Sequence, residues 1–141
     1  RENLDRYLSN LEVLVTKTHN LHWNVVGERF TSLHEYTETL YDYYFDKFDV
    51  IAEIFKMKGQ YPLVKTSDYL KHATVQELDA KDFKVSEVAS LIKADMELML
   101  ADAKKIREVA NEEDDFAVAN EMEDQISHFV KQLWFIEAMG K

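Results

Sequence analysis

Apolar side chains recur along most of this chain at three- and four-residue intervals, the period at which a helix returns side chains to one face. From Glu2 to Val26 the positions Leu4, Leu8, Leu11, Val15, Leu21 and Val25 form such a stripe, widened by Leu14. Gly27 breaks it, as a glycine just past a helix end commonly does. Thr31 and Ser32 then offer N-caps, and Glu35 follows Ser32 at the spacing of a capping box. A second helix is predicted from Ser32 to Lys58, burying Leu33, Leu40, Tyr44, Phe48, Ile51 and Phe55 and stopped by Gly59 and Pro62.

The stretch from Tyr61 to Val85 is the one long connection, with a short helix predicted within it at Ser67 to His72. Ser86 is the expected cap of a third long helix carrying Val88, Leu91, Ile92, Asp95, Leu98, Ala101, Ala103 and Ile106 and ending near Ala110. Lys104, Lys105 and Arg107 suit its negative C-terminal end. Asp114 and Asp115 open a fourth helix, which runs through Phe129, Leu133 and Ile136 to about Met139. No repeat, low-complexity tract or linker interrupts the pattern. The expectation is a single all-α domain over residues 1–141. Its plan is a ferritin-like four-helix bundle with a long crossover between helices 2 and 3 that contains a short extra helix.

Composition agrees with long helices: only three Gly and one Pro occur, with 46% apolar and 12% aromatic residues. The absence of cysteine removes disulfides and zinc knuckles and leaves the redox compartment open. No apolar run approaches the ~20 residues that span a bilayer, so a soluble protein with no membrane partner is expected. No secretory core is visible, but the chain opens at Arg1 rather than methionine, which leaves a trimmed leader or tail open. A formal charge of −10 and a pI near 4.9 disfavour contact with nucleic acid and suit a surface that gathers cations.

Charge has more to say between His22 and Glu53. At about 100° per residue, His34, Glu38, Phe45, Asp49 and Glu53 share an arc of roughly 100° beside the apolar stripe. The plain reading is a solvated flank, with a histidine near a helix end serving as a cap or packed residue. The chemical reading is a metal site, because charges bordering a core need partners and carboxylates with imidazole suit iron, manganese or zinc. The helical rise then constrains it: His34 and Asp49 are about 22 Å apart along one axis. Ligands to one ion lie within about 2–2.5 Å of it. His22 and His34 flank a tight turn and can face each other in one subunit, whereas Asp49 and Glu53 form a distant half-site. If all belong to one site, two copies must pair antiparallel, giving two equivalent sites about a two-fold axis. His19 is a poorer candidate, about 60° around the helix from His22 and toward the presumed outer side. His72 and His128 read as structural or exposed. No Glu is followed three residues later by His, so a di-iron site of Glu-x-x-His pairs within one subunit is not available.

The run NLHWNVVGERFTSLHEYTETLY, followed by DKFDVIAE, resembles the Dps family, the dodecameric mini-ferritins. The likeness continues through GQYP, TSDYLKHATVQE and the segment around Trp134, and so covers essentially the whole chain. It implies that His22 and His34 come from one subunit and Asp49 and Glu53 from its two-fold mate, with Glu53 the bridge or tightest ligand. Glu38 stands where the family usually has aspartate; one more methylene leaves open how a second, weaker iron position is filled. Trp23 matches a tryptophan near the iron site that absorbs oxidising equivalents, and is otherwise a core aromatic. The implied reaction oxidises Fe(II), preferably with hydrogen peroxide, at sites holding at most two ferrous ions, with Zn or Mn as competitors. Two ferrous ions held close together can pass peroxide two electrons in concert, which avoids hydroxyl radical. A hollow cytoplasmic homo-dodecamer of two-fold dimers then stores ferric mineral. The acids between Glu112 and Asp124 are either helix-start charge with a solvated face or, as in the family, the lining of three-fold pores through Glu121, Asp124 or their neighbours. DNA binding is not expected, since neither RENLDRYL nor the terminal MGK is a basic tail. The alternatives are a DNA-compacting stress protein with secondary iron chemistry and a metal-free helical scaffold.

Overall fold

The computed structural model describes residues 1–140 and places five helices in chain order. They are α1 (Glu2–Asn24), α2 (Phe30–Met57), α3 (Thr66–His72), α4 (Val85–Glu112) and α5 (Phe116–Met139). By contacts the chain divides into two compact units, Arg1–Val88 and Ala89–Lys141. In the first, α1 packs on α2 and α3. Tyr7, Leu8, Leu11, Leu14 and Leu21 of α1 and Leu33, Leu40, Tyr44, Ile51 and Phe55 of α2 are all buried. Val15 and Phe48, expected in the core, are only half-buried. Phe48 lies edge-on against Tyr69 of α3 at 5.4 Å between centroids.

The predicted helix starts need correction. Ser32 and Glu35 do not form a capping box; both lie inside α2, on its exposed surface. The helix begins at Phe30 with Arg29 as N-cap and no side-chain cap bond. Gly27, at φ 119°, turns the chain so that its carbonyl accepts from Phe30 N–H at 3.1 Å, and Arg29 O accepts from Leu33 N–H at 3.1 Å. A cap contributes about 1 kcal/mol, whereas losing a buried leucine side chain costs roughly 2–5 kcal/mol. The helix starts at Phe30 with Leu33 buried in its first turn, and the side-chain cap is forgone. Ser86 is likewise inside α4 rather than its cap.

α1 stops at Asn24, two residues short of the predicted Val26, because Val25 is extended (φ −67°, ψ 139°). Val25 and Val26 form β1, which pairs in parallel with β2 (Phe83–Lys84) in the register Val25↔Phe83 and Val26↔Lys84. Strands of two residues carry no period that a sequence pattern can show. The end of α2 is as the sequence predicts. Gly59 takes φ 76°, Gln60 N–H donates to Phe55 O at 2.9 Å and Gly59 N–H to Lys56 O at 3.0 Å, a Schellman ending.

The long connection is tied down by polar groups of α1. Buried Asn10 accepts from Thr74 N–H at 2.7 Å and Val75 N–H at 2.9 Å through Oδ1, and donates through Nδ2 to Thr74 Oγ1 at 3.0 Å. Asn20 Nδ2 donates to Leu78 O at 3.1 Å, and Tyr69 O–H donates to Leu63 O at 2.6 Å. Asn10 thus substitutes for the backbone partners that an irregular segment lacks.

In the second unit α4 ends as α2 does, but with Asp114 in the left-handed position at φ 56°. Asp115 N–H donates to Ala110 O at 2.8 Å and Asp114 N–H to Asn111 O at 3.2 Å. Asp115 then caps α5, accepting from Val118 N–H at 3.5 Å, as the acidic start predicts. The buried stripe of α4 runs through Val88, Ile92, Met96, Met99, Ala103, Ile106 and Ala110. Of the periodic positions named from the sequence, Val88, Ile92, Ala103 and Ile106 lie in this stripe, Leu91, Asp95 and Leu98 are half-buried at its edge and Ala101 is exposed. Phe129 and Ile136 of α5 are buried, and Leu133 is half-buried.

Asn10→Ala leaves the Thr74 and Val75 amides without their acceptor. It is expected to destabilise the protein by on the order of 2 kcal/mol, read as a lower midpoint in urea unfolding, with Asn10→Asp losing less.

Candidate metal centre

The last turn of α1 and the first turns of α2 carry His22 and His34, and the turn at Gly27 folds one onto the other. The two imidazoles stack with centroids 3.7 Å apart and planes 16° from parallel. Each is held by the other's main chain. His22 Nδ1–H donates to His34 O at 2.6 Å, and His34 Nδ1–H donates to His22 O at 2.8 Å. The hydroxyl of fully buried Thr37, which donates to Leu33 O at 2.7 Å, stands 3.0 Å from His22 Nδ1. A carbonyl only accepts, so Nδ1 carries the proton in both rings and a neutral ring keeps its lone pair on Nε2. Imidazoles fixed through Nδ1 to a carbonyl and free at Nε2 are the form in which histidine ligates a metal.

Electrostatics favour that form. His22 is 6% exposed, and burial pushes its pKa below the ordinary 6.5. Its hydrogen bond to the His34 carbonyl acts in the opposite direction without reversing the result. A neutral ring does not compete with its ligand role.

The carboxylates stand elsewhere. Glu38 lies one helical turn beyond His34 and is exposed; Asp49 and Glu53 are exposed farther along the same unbroken helix. Among the described residues no three His, Asp or Glu side chains of one chain approach closely enough to hold a metal ion. One chain therefore brings His22 and His34 together and leaves Asp49 and Glu53 apart from them.

Two expectations about neighbouring aromatics change. Trp23 is 67% exposed, so it is not a core aromatic. His19 does not face outward: half-buried, it stacks on Tyr41 of α2 at 3.8 Å and 21°, while its Nδ1–H donates to Val15 O at 2.6 Å. Tyr41 also lies edge-on to His22 at 5.1 Å. Helical angle alone could not reveal this, since it depends on how closely α2 approaches α1. His72 and His128 are half-buried, and His72 Nδ1–H donates to Asp68 O at 2.9 Å.

The ferritin-like domain family matches residues 1–140. A DNA protection during starvation protein of Helicobacter pylori is 32% identical over 126 residues, covering 89% of this chain and 88% of its own length. The crystal structure of a Dps protein from Bacillus brevis, 32% identical, covers 99% of this chain and 93% of its own with a TM-score of 0.94. This chain is a Dps protein. Its fold is accordingly ferritin-like, as the helix pattern and the long crossover predict. The Dps protein of Vibrio cholerae O1 is 27% identical with a TM-score of 0.93, covering 99% of this chain and 87% of its own. That protein is a member of a broad superfamily of ferritin-like diiron-carboxylate proteins.

In the metal-free Dps chain, the His22 ring is expected to titrate with a midpoint below pH 6.5, read from its Hε1 resonance. The sign follows from linkage: the unfolded chain takes up this proton near 6.5 and the folded chain only at lower pH. Stability is thus fully present above pH 6.5 and falls as the pH drops toward the folded-state value. A midpoint above 6.5 would contradict the burial argument.

Proposed function

We propose that this Dps protein is an iron-storage and detoxification mini-ferritin. It oxidises Fe(II), preferably with hydrogen peroxide, at sites shared between two-fold related subunits, and stores ferric mineral in a hollow dodecameric shell. The observation that carries this reading is the reciprocal lock of His22 and His34, which presents two Nε2 lone pairs while no carboxylate among the described residues completes the set. Asp49 and Glu53 of the two-fold mate supply the oxygen donors, Glu53 as bridge or tightest ligand, and Glu38 contributes to a second, weaker iron position.

The exposed side of α2 supports that pairing. Two copies laid antiparallel, with His34 of one opposite Glu53 of the other, cross near the middle of that interval. There Phe45 is 65% exposed, an apolar ring among Asp42, Asp46 and Asp49. Burying about 100 Å² or more of such a ring favours association by ~2 kcal/mol per copy.

The donor set suits the substrate. Carboxylate oxygens favour the ferric product, whereas only two imidazoles hold the ion loosely enough to pass it on to mineral. With two ferrous ions as electron source, both electrons reach peroxide together and hydroxyl radical is avoided. Zinc or manganese competes for the same donors. Iron reaches the shell through acidic pores, with Asp124 exposed on α5 and Glu121 accepting from Gln125 Nε2 at 3.0 Å. Protection of DNA, which names several relatives, then needs no contact with DNA. A chain with 27 acids against 17 Lys and Arg is repelled by phosphate.

Complementation tests the shared site. A His22→Gly/His34→Gly chain and an Asp49→Asn/Glu53→Gln chain should each assemble but lose peroxide-driven Fe(II) oxidation. Mixed and reassembled at equal amounts, random pairing restores about a quarter of the sites, because each mixed dimer contains one intact set. Activity retained by either variant alone, or none regained on mixing native-sized particles, would sink the assignment.

A further inference from the structure

Three of the four residues from Lys104 to Arg107 are cationic, a density found nowhere else in a chain of net charge −10. The helix dipole does not account for them. Its field is felt within the last turn, whereas α4 runs on to Glu112 and holds no basic residue in its last turn. Ion pairing does not account for them either. Lys104 and Glu108 stand four positions apart, where a helix can pair opposite charges. Among the described residues, however, Lys104, Lys105 and Arg107 form no ion pair.

Instead they border a cleft of about 490 Å³ within the second unit. Its walls carry Lys104, Lys105, Arg107, Glu108 and Asn111 from α4 and Glu123 from α5. Arg107 is half-buried and the other five are exposed, so the cleft is open to water. Cations alone would admit any anion. Two carboxylates on the same walls narrow the choice, because an ionised carboxylate only accepts hydrogen bonds. It repels an anion that has no proton to offer and accepts from one that has. Near neutral pH phosphate keeps a P–O–H donor, and sulfate of the same shape has none.

We propose that this cleft is a binding site for inorganic phosphate in its protonated forms. The Arg107 guanidinium fork and the Lys104 and Lys105 ammonium groups donate to the bare oxygens. Asn111 donates through its amide, and Glu108 and Glu123 accept from P–O–H. The net charge of the chain repels a long polyanion, but a small ion answers mainly to charges within a Debye length, ~8 Å at physiological salt. An open, wet site holds such an ion weakly, with a dissociation constant on the order of 1 mM. Its use rests on the iron-storage reading: ferric iron and phosphate precipitate together, so the shell gathers both components of a mineral. The site itself does not depend on that reading.

The test titrates the iron-free assembled protein into inorganic phosphate near neutral pH, at low and constant ionic strength. Binding is read as broadening of the phosphorus-31 resonance and its reversal by sulfate. The expected result is saturable broadening, with sulfate competing roughly tenfold less well than phosphate itself. Lys104→Gln/Lys105→Gln/Arg107→Gln should weaken binding by roughly tenfold or more. Lys56→Gln/Lys58→Gln/Lys65→Gln, the same charge change in the first unit, should leave it nearly unaltered. Glu108→Gln/Glu123→Gln should keep phosphate and raise sulfate to parity, because glutamine can donate where glutamate only accepts. No saturable broadening in the parent, equal weakening by both triple changes, or sulfate binding as well as phosphate in the parent overturns the site. A final arm grows mineral in limiting phosphate. Phosphate content unchanged in the Lys104, Lys105 and Arg107 variant overturns the use alone, and failure to oxidise iron sinks the ferroxidase reading while the iron-free titration still decides the site.

Discussion

The reciprocal hydrogen bonds between two imidazoles and two main-chain carbonyls are the constraint on which the rest of the site depends. His22 and His34 each use Nδ1 on the other's backbone, so the end of α1 and the start of α2 are joined by the same atoms that set both tautomers. Fold and chemistry cannot be separated at this point. Moving either helix end by an ångström breaks a hydrogen bond shorter than 3 Å and frees a ring to rotate. Thr37 and the left-handed turn at Gly27 support the pair from below and from the connecting loop. Such outer contacts decide whether a histidine is a ligand or only a polar residue near a core.

A second constraint comes from the length of α2. An unbroken helix from Phe30 to Met57 holds the exposed carboxylates at a fixed distance from the histidine pair. A kinked or interrupted helix would let one chain fold its acids back onto its own imidazoles; a continuous one does not. On the reading proposed above, the lack of a complete donor set among the described residues and the exposure of Phe45 on the same helix share one explanation, association of two copies.

The polar residues of α1 serve a different end. Asn10 and Asn20 hold the crossover, whose backbone has few partners of its own, and the two-residue parallel pair of β1 and β2 fastens its far end beside the turn at Gly27. The turn between the two histidine-bearing helix ends and the end of the crossover are thereby neighbours, which keeps the turn from fraying.

Much of this protein was legible in its sequence because helices announce themselves locally. The 3.6-residue period, the glycines after α2 and near α1, and the acidic start of α5 are all set by neighbours three or four positions away. The same arithmetic of rise and angle separates His34 from Asp49 without any coordinates. What depended on two helices meeting was not legible. α2 starts at Phe30 rather than after a Ser32 cap, and the core stripe of α4 includes Met96 and Met99, while Leu98 is half-buried and Ala101 exposed. The exposure of Trp23, the stack of His19 on Tyr41 and the reciprocal lock of the two histidines were decided only in three dimensions. Each depends on interhelical distance and side-chain direction, which residues far apart in the chain set jointly by packing, and no local period encodes it.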